Sequence, residues 1–121
     1  MNLDEATKGM LKTREALRSK QGIADPNYIS EQMQRLAQYT AAIEERLAEL
    51  EEHIEVAMHT IFANSTKGGT SVSQSETLAR FETKDMKGQI DKLSRYVKSS
   101  WAIIGVAQSR VNHLTKERQV S

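Results

Sequence analysis

Ten positions between Ile29 and Ile61 return to one helical stripe at alternating spacings of four and three residues. They are Ile29, Met33, Leu36, Thr40, Ile43, Leu47, Leu50, Ile54, Ala57 and Ile61, and only Thr40 breaks the apolar run. A repeat of this period keeps a narrow greasy stripe on one face of an α-helix, and only another helix covers such a stripe. At ~1.5 Å per residue the segment is about 50 Å long. Its acids, Glu44, Glu45, Glu49, Glu51, Glu52 and Glu55, fall off the stripe.

A second stripe follows the same alternation through Met86, Ile90, Leu93, Val97, Ser100, Ile104, Ala107, Val111 and Leu114. It reads as extending back to Leu78 and Phe81, which makes this helix about 60 Å long. Ser100, Gly105 and Ala107 keep its middle slender and suited to close helix approach. Between the stripes, Asn64-Ser-Thr-Lys-Gly-Gly-Thr-Ser71 is a stop signal with paired glycines. Ser73 and Glu76 then stand at capping-box spacing.

The expected fold is all-α: a long antiparallel, coiled-coil-like hairpin with helices at about 27–63 and 74–118, joined by a turn at 64–72. The alternative, one continuous helix in a parallel oligomer, runs against the two glycines. Upstream, Leu3, Met10 and Leu17 lie seven apart among lysines and arginines, which predicts a short amphipathic helix over about 3–20, starting near Asp4. Gly9 weakens it. Residues 21–27 read as a turn, with Asp25 as N-cap and Pro26 at the first helical position of the next element. The first helix is laid alongside the hairpin or exchanged with a neighbour.

Two stripes of this length exceed what one protomer is expected to hide, so residues 1–121 read as a single helical domain that forms a homo-oligomer. The expected core and oligomerisation residues are Ile29, Leu36, Ile43, Leu47, Leu50, Ile54, Ile61, Ile90, Leu93, Val97, Trp101, Ile104, Val111 and Leu114. Isoleucine and leucine alternate along the first stripe without the division typical of a parallel dimer, which favours more than two strands.

Several function classes fall away. There is no cysteine, hence no disulfide and no thiolate metal site. The longest apolar run, Trp101–Ala107, is far short of the ~20 residues of a membrane span, and the N-terminal residues lack a signal-peptide pattern. A soluble, cytoplasmic protein without membrane contact is expected. Thr66-Lys-Gly-Gly-Thr-Ser71 lacks the spacing of a phosphate loop and a preceding strand. His53 and His59 are six apart, on different helix faces, and His113 stands alone, so no metal site is expected. The glutamates sit among other acids on a solvated face rather than beside a desolvating partner. The chain therefore reads as a non-enzyme without cofactor.

Charge is more telling. The net charge of +1 divides into +2 over residues 1–24, −6 over 25–63 and +5 over 64–121. Such segregation points to pairing between segments, to an anionic partner, or to both. Arg80, Lys84, Lys87, Lys92, Arg95 and Lys98 recur along the last segment, with Tyr96 and Trp101 nearby. Cations spaced along a helix track phosphates, and aromatic faces stack on unpaired bases. In an antiparallel hairpin turning near Lys67–Gly69, Leu50 falls opposite about Lys87, so the same cations also stand ready to pair with Glu44–Glu55. Both readings remain open at this level.

The order of features is distinctive: Val56-Ala-Met58, then Ile61-Phe62-Ala-Asn-Ser65, Lys67-Gly-Gly, a capped helix with Lys84 and Lys87, Tyr96, Trp101, and the tail Gln108-Ser-Arg-Val-Asn-His-Leu114. Over about residues 40–116 this pattern resembles the UvsY-type phage recombination mediators. The resemblance implies a phage-encoded, ring-like homo-oligomer acting in the host cytoplasm. It would bind single-stranded DNA and help a RecA-like recombinase replace a single-strand-binding protein. The family's basic pair ahead of the glycine turn falls near His59 and Ile61 here, a departure that leaves only His59 and Lys67. The expected DNA-binding set is thus His59, Lys67, Arg80, Lys84, Lys87, Lys92, Arg95 and Lys98. The rival expectation is a helical structural or chaperone-like phage assembly protein that touches no DNA.

Overall fold

The computed structural model describes residues 1–120. The chain forms four helices: α1, Leu3–Arg18; α2, Lys20–Ala24; α3, Pro26–Lys67; and α4, Val72–Val120. The architecture is all-α, with a long helix pair packed together, as the two stripes predict. No helix among the described residues is long and apolar enough to cross a membrane.

The helix ends follow from side-chain chemistry. Asn2 caps α1: its Oδ1 accepts from the Glu5 N–H at 2.8 Å, and its Nδ2 donates to the Glu5 carboxylate at 3.1 Å. The cap lies two residues ahead of Asp4, so Asp4 and Glu5 fill the first turn, where the helix dipole favours anions. The stretch expected as a turn holds a short helix of its own, α2. The Ser19 hydroxyl caps it by accepting from the Gly22 N–H. Asp25 and Pro26 act as expected, the Asp25 carboxylate accepting from the N–H of Asn27 at 3.0 Å.

Helix α3 runs four residues beyond its expected end, through Asn64–Lys67. Ser65 and Thr66 are tolerated in the last turn because the Thr66 hydroxyl donates to the Phe62 carbonyl. The stop is made by the glycines. Gly69 takes φ 95°, its N–H bonds to the Thr66 carbonyl, and the Thr70 N–H bonds to the Ser65 carbonyl, each at 3.1 Å. This 5→2 and 6→1 pair is a Schellman cap, which requires the left-handed conformation glycine adopts freely. The chain has turned by Thr70, so Ser71 caps α4 by accepting from the Gln74 N–H at 3.2 Å. Ser73 and Glu76, expected as the capping box, lie inside the helix.

The chain divides into two compact units. The first comprises Met1–Glu44 and α4 from Arg95 onward; the second is Glu45–Ser94, the closed end of the hairpin. In the first unit α1 buries Ala6, Met10, Thr13 and Leu17; α3 buries Ile29, Gln32, Leu36, Thr40 and Ile43; and α4 buries Val97, Ser100 and Ala107. The α3 face widens here beyond the expected stripe, taking in Gln32 while Met33 is only half-buried. Helix α1 also covers this unit: the Tyr39 ring lies against Gly9, where a side chain would collide with it, and Arg14 donates to the Ser99 hydroxyl at 3.0 Å. The first helix is therefore laid alongside its own chain. Thr40, the break in the stripe, is fully buried with its hydroxyl donating to the Leu36 carbonyl at 2.7 Å.

In the second unit α3 buries Leu50 and Ile54, and α4 buries Ser75, Ala79, Thr83, Ile90 and Leu93. The Ser75 hydroxyl donates to that of Ser65 at 2.9 Å, which sets Leu50 level with about residue 90. Two expectations are corrected here. The α4 stripe does not extend back to Leu78 and Phe81, which are exposed; it continues through Thr83, Ala79 and Ser75. Two successive spacings of four replace the heptad, and small residues let the helices approach beside the turn. Trp101, expected in the core, is 42% exposed and donates its indole N–H to the Glu44 carboxylate. It stands one residue past the buried Ser100, hence on the flank. Leu47, Ile61, Ile104, Val111 and Leu114 are half-buried. The other residues of the expected core are buried inside one chain, so the stripes themselves do not demand a second copy.

Candidate nucleic-acid interface

Each cation of α4 in the second unit stands where the stripe puts it. Arg80, Lys84 and Lys87 follow Ala79, Thr83 and Met86 by one residue, a rotation of about 100° that carries them from the packed seam to its flank. All three are exposed, as is Lys92. The Lys84 Nζ lies 4.8 Å from the centroid of the Phe81 ring, and that ring is 64% exposed. An ammonium over a phenyl face is a cation–π pair. Here it holds the long lysine side chain near one aromatic face. Lys87 pairs with Asp91 at 3.5 Å, one turn along the same helix.

On α3, His59 is exposed and shares a groove with Glu55, Met58 and Phe62, closed from α4 by Glu76, Ala79 and Arg80. His53 lies in a separate groove with Glu49, Glu52 and Val56, so the two histidines do serve different faces. Lys67 is exposed as the last residue of α3. The structure thus gathers His59 and Arg80 around one groove and sets Lys84 and Lys87 along the following turns of α4. Arg95 and Lys98 are exposed cations of the first unit.

Neutralisation of these cations by the α3 glutamates is the competing reading. The ion pairs of Arg46 with Glu49 at 2.8 Å, of Arg35 with Glu31 at 2.7 Å and of Lys87 with Asp91 each run along one helix. Glu44 takes the indole of Trp101 instead of a lysine. His113 pairs with Glu117 at 3.2 Å, one turn along α4. No cluster of three or more histidine, cysteine, aspartate or glutamate side chains suited to a metal ion occurs among the described residues.

Sequence reasoning missed the grouping of Met58 and Phe62 with Arg80. Their signal was the turn register, which the Ser65–Ser75 hydrogen bond fixes. Compared with protein-family models, with curated proteins and with solved structures, the chain has no match.

Proposed function

We propose that this chain is a self-associating, non-enzymatic protein that binds single-stranded DNA through the α4 face of its second unit, and that it prepares the strand for a RecA-like recombinase. One observation carries the DNA reading: Lys84 stands over an exposed Phe81 ring, with Arg80 and Lys87 exposed on the neighbouring turns. This combination offers phosphate-neutralising charge and a stacking face within one nucleotide's reach, and both components are indifferent to sequence. Duplex DNA keeps its bases stacked away from such a ring, so the reading favours the single strand. Lys67, Lys92, Arg95 and Lys98 add charge to the same polypeptide, and His59 adds an exposed polar ring. Repetition of a weak cationic site in an oligomer multiplies its hold on one strand. The recombinase and a displaced single-strand-binding protein enter through the family resemblance.

The test is fluorescence anisotropy of a labelled oligonucleotide at low and moderate salt. The expected outcome is a complex at low salt that weakens steeply as salt rises, with Lys84→Glu/Lys87→Glu losing affinity while keeping helicity and mass in solution. Absence of any complex at low salt overturns the DNA reading and returns the chain to the helical structural or assembly class. Loss of helicity in the double variant instead makes those lysines part of the fold.

A further inference from the structure

The first unit carries a groove between α1 and α4, floored by Leu17, Ile103 and Val106 and edged by Arg18 and Arg110. Val106 is 60% exposed. Arg14 joins the edge through its bond to Ser99. Arg110 is committed to backbone carbonyls and Arg18 to Glu15 at 3.5 Å, but both guanidiniums have donors left over. An apolar floor suits neither phosphate nor a free strand. It suits a helix that brings aliphatic contact and carboxylates together.

The same sequence supplies such a helix. On the outer face of α3, Glu45, Ala48, Glu49, Glu52 and Val56 recur at three and four residues and are exposed, Val56 to 61%. Arg46 pairs with Glu49, which leaves Glu45 and Glu52 as the acids on that face without an ion pair among the described residues. From Glu45 to Val56 the face is about 16 Å long, matching the groove edge from Ser99 to Arg110 at the same rise per residue.

We infer that the arginine-edged groove of the first unit in one molecule receives the acidic outer face of α3, Glu45–Val56, from a second copy. Each copy offers one groove and one acidic face, so a groove residue of one copy meets a different residue, on the acidic face, of the other. Arg18 and Arg14 meet Glu52 and Glu45, and Val56 lies against Val106 and Ile103. The opposed charges set the register, and the aliphatic contact holds it. This inference rests on the proposal that the chain self-associates and does not depend on DNA binding by the second unit.

A charge swap decides it, read as mass in solution by analytical ultracentrifugation of the full chain at low salt. The wild-type chain is expected to form an assembly larger than one protomer. Arg18→Glu and Glu52→Arg are each expected to raise the dissociation constant about tenfold or more, and the two together, mixed or in one chain, to restore it. Both positions are exposed, and an unchanged thermal melt confirms the fold. Val106→Asp is the second variant: it too weakens assembly, and Glu52→Arg does not rescue it. A wild-type single protomer overturns both self-association and this interface. An assembly unmoved by Arg18→Glu, or a double variant no better than its parents, overturns the interface alone. Lowered oligonucleotide affinity in Arg18→Glu at unchanged mass assigns the groove to DNA and likewise overturns it.

Discussion

The Nη1 of Arg110 on α4 donates to the carbonyl of Gly22 at 2.8 Å and to that of Leu17 at 3.4 Å. These carbonyls belong to the last turns of α1 and α2, which have no helical donors left. A guanidinium placed there satisfies orphan acceptors and complements the negative helix ends. Hydrogen bonds from a charged donor contribute about 1.5–3 kcal/mol. Arg110→Ala is therefore expected to destabilise the first unit by roughly that amount, visible as a lower midpoint in urea unfolding followed by circular dichroism. Arg110→Lys recovers part of the loss, since an ammonium reaches one carbonyl well but not both.

Gly22 itself is buried, and a Cβ there would run into the carbonyls of Ala16 and Leu17. Those atoms are backbone and cannot swing aside. Gly22→Ala is expected to cost about 1–3 kcal/mol, in the range of other overpacking changes. At an unstrained helical position the same substitution would stabilise. A melting temperature at or above that of the parent chain would show that α2 does not sit against α1 this tightly.

Ser100 points the other way. It is fully buried on the seam of α4, and its hydroxyl has no hydrogen-bond partner. The buried threonines Thr13, Thr40 and Thr83 all donate back to the carbonyl four residues earlier, at 2.6, 2.7 and 2.7 Å. An unsatisfied buried hydroxyl costs about 1–3 kcal/mol. Alanine removes that cost with little change in volume and raises helix propensity. Ser100→Ala is expected to stabilise by about 1 kcal/mol and raise the melting temperature by several degrees, whereas Thr40→Ala opens a void and lowers it.

The long helices were legible because Ile, Leu and Val mark a stripe whatever surrounds them. From Ile29 to Ile54 and from Ile90 to Val97 the buried residues are largely those the spacing picks out. Legibility fails where the seam is built from Ser75, Ala79 and Thr83, since none of these reads as strongly apolar. Leu78 and Phe81 stand out in the sequence for that reason. Nor could the spacing say that one chain covers its own stripes: the placement of α1 turns on Gly9 yielding room to Tyr39 and on Arg110 finding carbonyls. The cations of the candidate site were visible as residues off the stripe. Which of them a glutamate would claim was not, because that depends on side-chain reach across the hairpin.

The cation–π pair of Phe81 and Lys84 separates two contributions to binding that usually travel together. Charge reports itself through counterion release, so each phosphate no longer neutralised lowers the slope of log affinity against log salt by roughly 0.7 on a single strand. Stacking carries no counterions and is worth about 1–3 kcal/mol per base. Phe81→Ala is expected to weaken oligonucleotide binding by about that amount, fivefold or more, with the salt slope unchanged. Lys84→Gln is expected to lower the slope while leaving the residual, salt-independent affinity in place. Phe81 is exposed, so neither change should disturb the melt. If Phe81→Ala instead flattens the salt slope, the ring acts only by positioning Lys84; if it leaves affinity untouched, the base does not stack there.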